Sequence, residues 1–181
     1  MILFLFAHSN DMGLNDISDN YKELFPGIYS YIRCRVENAE SAEDLTAEVF
    51  KKALQKRATY NSCKGNMSQW LFGIARNEVN LSYRKKALRR VVSLDFIFGP
   101  ELRDPAPGPQ DGAEESEERR RLMRALAKTD SRERDLIALK FYSNMTNREI
   151  SSLTGLSETN VGSILHRTMT KLRTELRGSD L

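Results

Sequence analysis

The stretch TNREISSLTGLSETNVGSILHRT, Thr146 to Thr168, holds two short helical patterns that meet at a single glycine. Thr146 and Glu149 stand in capping-box spacing, so a helix is expected to start there. Ile150 and Leu153 give that helix one apolar edge. Gly155 falls where a chain leaves a helix through the left-handed region, which glycine enters without a Cβ penalty. Ser157 is placed to cap a second helix. In it Val161, Leu165, Met169, Leu172 and Leu176 recur at three- and four-residue steps, so one face turns inward. Two helices joined this tightly form a helix-turn-helix pattern. Glu158, Thr159, Asn160, Ser163 and Arg167 are left at the start and outer side of the second helix. From there side chains reach base edges or phosphates in a major groove. Helical hairpins also occur in proteins that touch no DNA, so the rest of the chain must decide.

Net charge is only +3 over 181 residues, but its distribution is uneven. Residues 1–20 carry three acids and no Lys or Arg, and residues 21–92 carry 14 basic against 7 acidic residues. Residues 93–118 carry 1 basic against 8 acidic, and residues 119–181 carry 13 against 7. Two basic blocks flanking an acidic connector suit two polyanion-binding modules on a linker. Solvated helical faces with excess Lys and Arg are the plainer alternative. Cys34 and Cys63 lack CxxC spacing and have no histidine near them in sequence, so neither a disulfide framework nor a zinc site is indicated. Nothing in the pattern assigns Cys63 a redox role.

Upstream, Tyr21, Leu24, Phe25, Ile28, Tyr31 and Ile32 form an apolar stripe, with Pro26 expected to interrupt the helix. A second helix is expected over Ala39–Arg57 with Ala42, Leu45, Val49, Ala53 and Leu54 inward. After a polar loop centred on Gly65, a third is expected over Ser68–Arg89 with Trp70, Leu71, Ile74, Ala75 and Val79 inward. Four of the five prolines lie in residues 93–118, which read as a linker. Helices return over Glu114–Lys128 and from an Asp130/Glu133 cap to Tyr142. Strand patterns, glycine-rich phosphate loops and catalytic constellations are absent from the sequence, so neither an enzyme nor a cofactor or metal site is indicated. The fold class expected is all-α: two small helical domains joined by a flexible linker, the second holding the helix-turn-helix. The boundaries are 1–19 for an extension expected to be disordered, 20–92, 93–118 for the acidic linker, and 119–181. The apolar opening MILFLFA lacks a basic flank and is far shorter than the ~20 residues of a membrane span, so a soluble chain is expected, with Met12 as an alternative start.

AEDLTAEVFKKAL (Ala42–Leu54), MSQWLFGIARNEVNLSYRKKALRR (Met67–Arg90) and the C-terminal helix-turn-helix resemble, in that order, the group IV or extracytoplasmic-function (ECF) sigma factors of bacterial RNA polymerase. The resemblance covers roughly residues 20–92 and 119–177. It implies a cytoplasmic, dissociable promoter-specificity subunit that is not itself an enzyme. Its first domain would bind the polymerase clamp and open the −10 element. Its second would read the −35 element and touch the polymerase flap. An anti-sigma factor is an implied partner, and no membrane insertion is implied. A stand-alone helix-turn-helix regulator with a helical sensory or dimerisation domain is the alternative, but such a domain has no need of DLTAEVF followed by WLFGIARN.

The resemblance places Asp44 and Glu48, with Leu45 and Phe50, on the clamp-binding helix. Glu48 paired with Lys51 or Lys52 on a solvated face is the alternative. The loop Asn61–Asn66 is the candidate for capturing an unstacked −10 base: Asn61, Ser62, Lys64 and Asn66 supply polar groups and Tyr60 a wall. An ordinary polar turn is the alternative. Asn77 matches the asparagine that the family associates with the flipped base, and Arg76 is placed for a nearby phosphate. Trp70 is expected in the core. Arg84, Lys85, Lys86, Arg89 and Arg90 are expected to track backbone phosphates. Lys140 and Arg148 match positions near the −35 backbone, and Thr159, Asn160, Ser163 and Arg167 should face the groove. The chain departs from the family at Gly162 and Ile164, where basic residues are common.

Overall fold

The computed structural model describes residues 12–92 and 117–178. The described residues form seven α-helices with one short 3-10 turn, Arg57–Thr59, after the second. The first domain holds α1 (Met12–Arg35), α2 (Ala39–Gln55) and α3 (Met67–Val92). The second holds α4 (Glu117–Ala127), α5 (Ser131–Tyr142), α6 (Asn147–Thr154) and α7 (Glu158–Gly178). The apolar opening and most of the acidic linker lie outside the described residues.

Local chemistry sets the helix starts. Asn38 caps α2 by accepting from the Ser41 N–H at 2.8 Å. Asn66 and Gln69 cap α3 reciprocally: Asn66 Oδ1 accepts from the Gln69 N–H at 2.8 Å, and Gln69 Oε1 accepts from the Asn66 N–H at 3.0 Å. Asp130 and Glu133 do the same for α5, as the sequence implies.

In the first domain Ile28, Tyr31, Ile32, Ala42, Val49, Leu71, Phe72, Ala75 and Val79 are buried. Tyr31 meets Phe72 edge to face at 5.6 Å between centroids, a geometry that suits the ring quadrupoles. Pro26 does not interrupt α1, which runs unbroken from Met12. The ring removes one backbone donor, and packing on both sides of it carries the helix through. Residues 12–19, expected to be disordered, are helical. Leu54 is 40% exposed, because α2 turns that position away from α3; Phe50 and Thr46 fill the inward face instead.

The two domains pack together. α5 lies between α7 on one side and α1 on the other. Five consecutive residues of it, Asp135 to Leu139, are buried as a result. A helix covered on two sides shows little amphipathic period, and RDLIALKFY has little. The close approach depends on small residues. A Cβ on Gly27 of α1 would stand 2.9 Å from the Tyr142 carbonyl oxygen, and one on Gly73 of α3 would stand 3.4 Å from Leu153 Cδ1.

Candidate nucleic-acid interface

The helix-turn-helix is built as its sequence implies. The Glu149 N–H donates to Thr146 Oγ1 at 3.3 Å, and the Thr146 N–H donates to Glu149 Oε2 at 2.7 Å. Gly155 ends α6 at φ +77°. Ser151 Oγ donates to the Leu156 carbonyl across the turn at 2.6 Å. Ser157 Oγ accepts from the Asn160 N–H at 3.2 Å and starts α7. Val161, Ile164, Leu165, Thr168 and Leu172 are buried, which turns Thr159, Asn160, Ser163 and Arg167 outward and exposed. Thr168 is the inward residue that periodicity of apolar residues misses; its hydroxyl is satisfied by the Ile164 carbonyl at 2.8 Å.

The two departures lie on the same helix. Ile164 is 5% exposed and is a core position of α7. Gly162 is half-buried, and a Cβ on it would meet Asn147 Nδ2 at an ordinary 3.5 Å. Arg148 is exposed, 3.5 Å from Glu158. Lys140 is half-buried and donates to the Met145 carbonyl at 3.2 Å, so it also holds the turn before α6.

In the first domain the candidate loop is a folded turn. Asn61 Oδ1 accepts from the Cys63 N–H at 2.9 Å, and Asn66 caps α3. Ser62 and Lys64 are exposed and make no side-chain hydrogen bond with another described residue. Tyr60 lies against half-buried Trp70 at 5.6 Å between centroids, with the two ring planes tilted by 55°. Asn77, Arg84 and Lys85 are exposed along α3. Cys63 is exposed and Cys34 buried, and neither is in a disulfide. Burial pushes the Cys34 thiol up to about 11 against the opposing pull of Arg134, Arg35 and Arg33.

On α2, Asp44 is exposed and Leu45 and Glu48 are half-buried. Glu48 does pair with Lys51, at 3.1 Å, and with Lys52, at 3.7 Å. The Lys51 hydrogen bond, followed by the charges of Lys51 and Lys52, holds its carboxyl below the usual range. Phe50 is 7% exposed, against Tyr21 and Phe25 at 4.7 and 5.9 Å. It supports the face from beneath and presents little of itself.

Arg76 is tied across the domains. Its Nε donates to Asp135 Oδ2 at 2.8 Å and its Nη1 to the Leu153 carbonyl at 3.4 Å. The other Asp135 oxygen accepts from the Tyr31 hydroxyl at 2.7 Å and from Arg35. Arg35 is 2% exposed and also donates to Asn80 Oδ1 at 3.3 Å. Burial works against its charge, but Tyr31, Asp135 and Tyr83 outweigh it and raise its pKa. Burial, reinforced by the Asp135 charge, raises the Tyr31 phenol well above its ordinary value. No motif in the sequence joins Asp135, Tyr31 and Arg35. The signal the sequence does carry is an acid, Asp135, set directly before the apolar run Leu136–Leu139. No helix among the described residues is long and apolar enough to cross a membrane. No cluster of three metal-ligating side chains occurs among them either.

A helical domain with a basic α3, followed by a helix-turn-helix domain, is the layout of a DNA-binding transcription protein. Residues 21–89 match the sigma-70 region 2 family and residues 119–172 match sigma-70 region 4. The ECF RNA polymerase sigma factor RpoE of Cereibacter sphaeroides is 29% identical over 157 residues, 84% of each chain. SigM of Bacillus subtilis is 24% identical over 157 residues, 87% of this chain and 93% of that one. The fold is that of the sigma factor RpoE solved in complex with the anti-sigma factor NepR from Bartonella quintana. The TM-score is 0.73 at 23% identity, over 90% of this chain and 98% of that one. The chain belongs to the ECF sigma factors of bacterial RNA polymerase, a family of transcription regulators rather than enzymes.

Proposed function

We propose that this chain joins core RNA polymerase in the cytoplasm through the α2 face of Asp44, Leu45 and Glu48, with Phe50 seating that face from below. In the assembled enzyme the α3 side opens and reads the −10 element, and α7 reads the −35 element. The observation that carries the reading is the exposed row Thr159, Asn160, Ser163 and Arg167, backed by the buried row Val161, Ile164, Leu165 and Thr168. That arrangement presents short polar side chains and one guanidinium to a groove, the chemistry that base edges require. Ser62, Lys64 and Asn77 are exposed polar groups on the loop and on α3, next to the elements that carry Tyr60 and Trp70, which suits capture of an unstacked base. Arg84 and Lys85 hold the backbone alongside. The nucleotidyl chemistry belongs to the polymerase. A solved protein of this fold, the sigma factor RpoE of Bartonella quintana, is in complex with the anti-sigma factor NepR, which supports an anti-sigma factor as a further partner here.

Transcription in vitro tests the reading. Core polymerase with this chain is expected to initiate at a bipartite promoter, and neither domain alone is expected to do so. Tight, specific DNA binding without polymerase and without initiation would instead identify a stand-alone regulator.

A further inference from the structure

Resting on the reading of α2 as the polymerase-binding face, we propose that Glu78 of α3 is a positioning residue for assembly with core polymerase. It holds the Lys52 ammonium away from Glu48, so that one oxygen of the Glu48 carboxylate stays open to a cationic group of the polymerase.

Glu48 stands four residues before Lys52, the order in which a helical glutamate and lysine attract best. Lys51, three residues on, is a second partner in reach. Left to α2 alone, both ammonium groups would close on Glu48 and cancel its charge. Only one of them does. Lys51 Nζ donates to Glu48 Oε2 at 3.1 Å. Lys52 Nζ stops 3.7 Å from Glu48 Oε1, beyond hydrogen-bond reach. Its bond goes to Glu78 Oε2, across the helix pair, at 2.6 Å.

Burial decides which acid holds the ammonium. The Glu78 side chain is 12% exposed and that of Glu48 37%. Water screens the outer acid more than the inner one, so Lys52 settles inward. The bond to Glu78 is the first cause of the raised Lys52 pKa, and the Glu48 charge comes behind it. Ala75 and Val79, on either side of Glu78, are buried, so the backbone that carries this acid is seated on the core. The two lysines therefore differ in what they do to Glu48. Exposed Lys51 swings into solvent when another cation arrives. Half-buried Lys52 lacks that freedom and would stay on Glu48 if Glu78 did not hold it.

Calorimetric titration of core polymerase with the full chain reads assembly. Glu78→Gln keeps the shape of the side chain and removes its charge, so Lys52 closes on Glu48. Affinity for core is then expected to fall roughly two- to five-fold, the range of one partly exposed charge pair. Adding Lys52→Met removes the closing ammonium and should restore the wild-type affinity. Glu48→Gln should weaken binding by itself and make Glu78→Gln silent, as a double-mutant cycle requires of groups acting through one carboxylate. Unchanged affinity in Glu78→Gln overturns the proposal. So does a loss that Lys52→Met fails to restore, which is the mark of a mere tie between α2 and α3.

The Glu48 carboxyl gives a second readout on the chain without polymerase, by carbon NMR, with the Glu48→Gln spectrum supplying the assignment. Its titration should move to lower pH in Glu78→Gln and move back when Lys52→Met is added. A Glu48 titration that stays put in Glu78→Gln overturns the proposal. If Glu78→Gln does not fold, Glu78→Asp keeps the charge with a shorter reach and should shift both readouts in the same direction by less. The two measurements separate the two readings. A wild type that fails to bind core, while the Glu48 titration follows Glu78 and Lys52 as expected, defeats the polymerase reading alone. A wild type that binds core through Glu48, with Glu78→Gln silent, defeats the positioning role alone.

Discussion

Gln69 of α3 donates its side-chain amide to the carboxylate of Glu149 on α6, joining the two domains across 80 positions of sequence. The same carboxylate accepts from the Thr146 N–H and hydroxyl. Those Thr146 bonds, with Gln69 adding to them, hold the Glu149 carboxyl below the usual range. A group depressed in the folded state stabilises above its unfolded pKa, ~4.3 for Glu, and loses that effect as pH falls through its folded value. Melting temperature should therefore fall below about pH 5, partly through Glu149. Glu149→Gln should flatten that acid limb while lowering stability near neutrality. A Glu149→Gln acid limb identical to the wild type's would remove Glu149 from the account.

The outward row of α7 predicts a division of labour. Asn160→Ala is expected to change which −35 bases are preferred, because a lost bidentate base contact removes ~1–3 kcal/mol of discrimination. Arg148→Ala is expected to weaken all sites about equally and to reduce the salt slope by about one. Lys140→Ala should cost stability as well, since it releases the Met145 carbonyl. Binding to a −35 library checks the recognition effects, and a denaturant melt checks the stability cost of Lys140→Ala. An unchanged preference profile for Asn160→Ala takes that residue out of the reading set.

Around the candidate loop, two asparagines should behave differently. Asn66→Ala removes the α3 cap and should cost about 0.5–2 kcal/mol, visible in denaturant melts. Asn77→Ala touches no cap and should leave the melt unchanged while impairing strand opening. Permanganate reactivity of promoter thymines reports the opening, and full reactivity with Asn77→Ala would return that residue to the helix surface.

Thiol chemistry gives a simpler check. Cys34 is 4% exposed with its thiol pushed up to about 11, whereas Cys63 is exposed. A disulfide reagent near pH 8 should titrate one thiol in the native chain and two after unfolding, because the thiolate is the reactive form. Two fast thiols in the native state would show that the α1 core breathes.

The second domain could be read from its sequence almost helix by helix. Its signals are local: a threonine and a glutamate three apart, a glycine at the turn, a serine at the next start. Each acts on its own neighbours, so spacing reveals it. Asp135 acts on residues 59 to 104 positions away, and no spacing announces that. The loop shows the same limit. Asn61 and Asn66 read as polar groups awaiting a base, but their acceptor oxygens serve the chain's own backbone. Pro26 misleads in the opposite direction, since its local penalty is real and tertiary packing overrides it.

The meeting of one carboxylate with three donors has a consequence for modular engineering. Recognition specificity in a two-domain chain invites exchange of the second domain with that of a relative. Such a hybrid would keep both reading surfaces, because each is built within its own domain. It would seat its halves on one another only if the incoming helix brought an acid to the place of Asp135 and a short carboxyl reach to Arg35, Arg76 and Tyr31. A donor with an apolar residue there would leave Arg35, Arg76 and Tyr31 of the first domain without their shared acceptor.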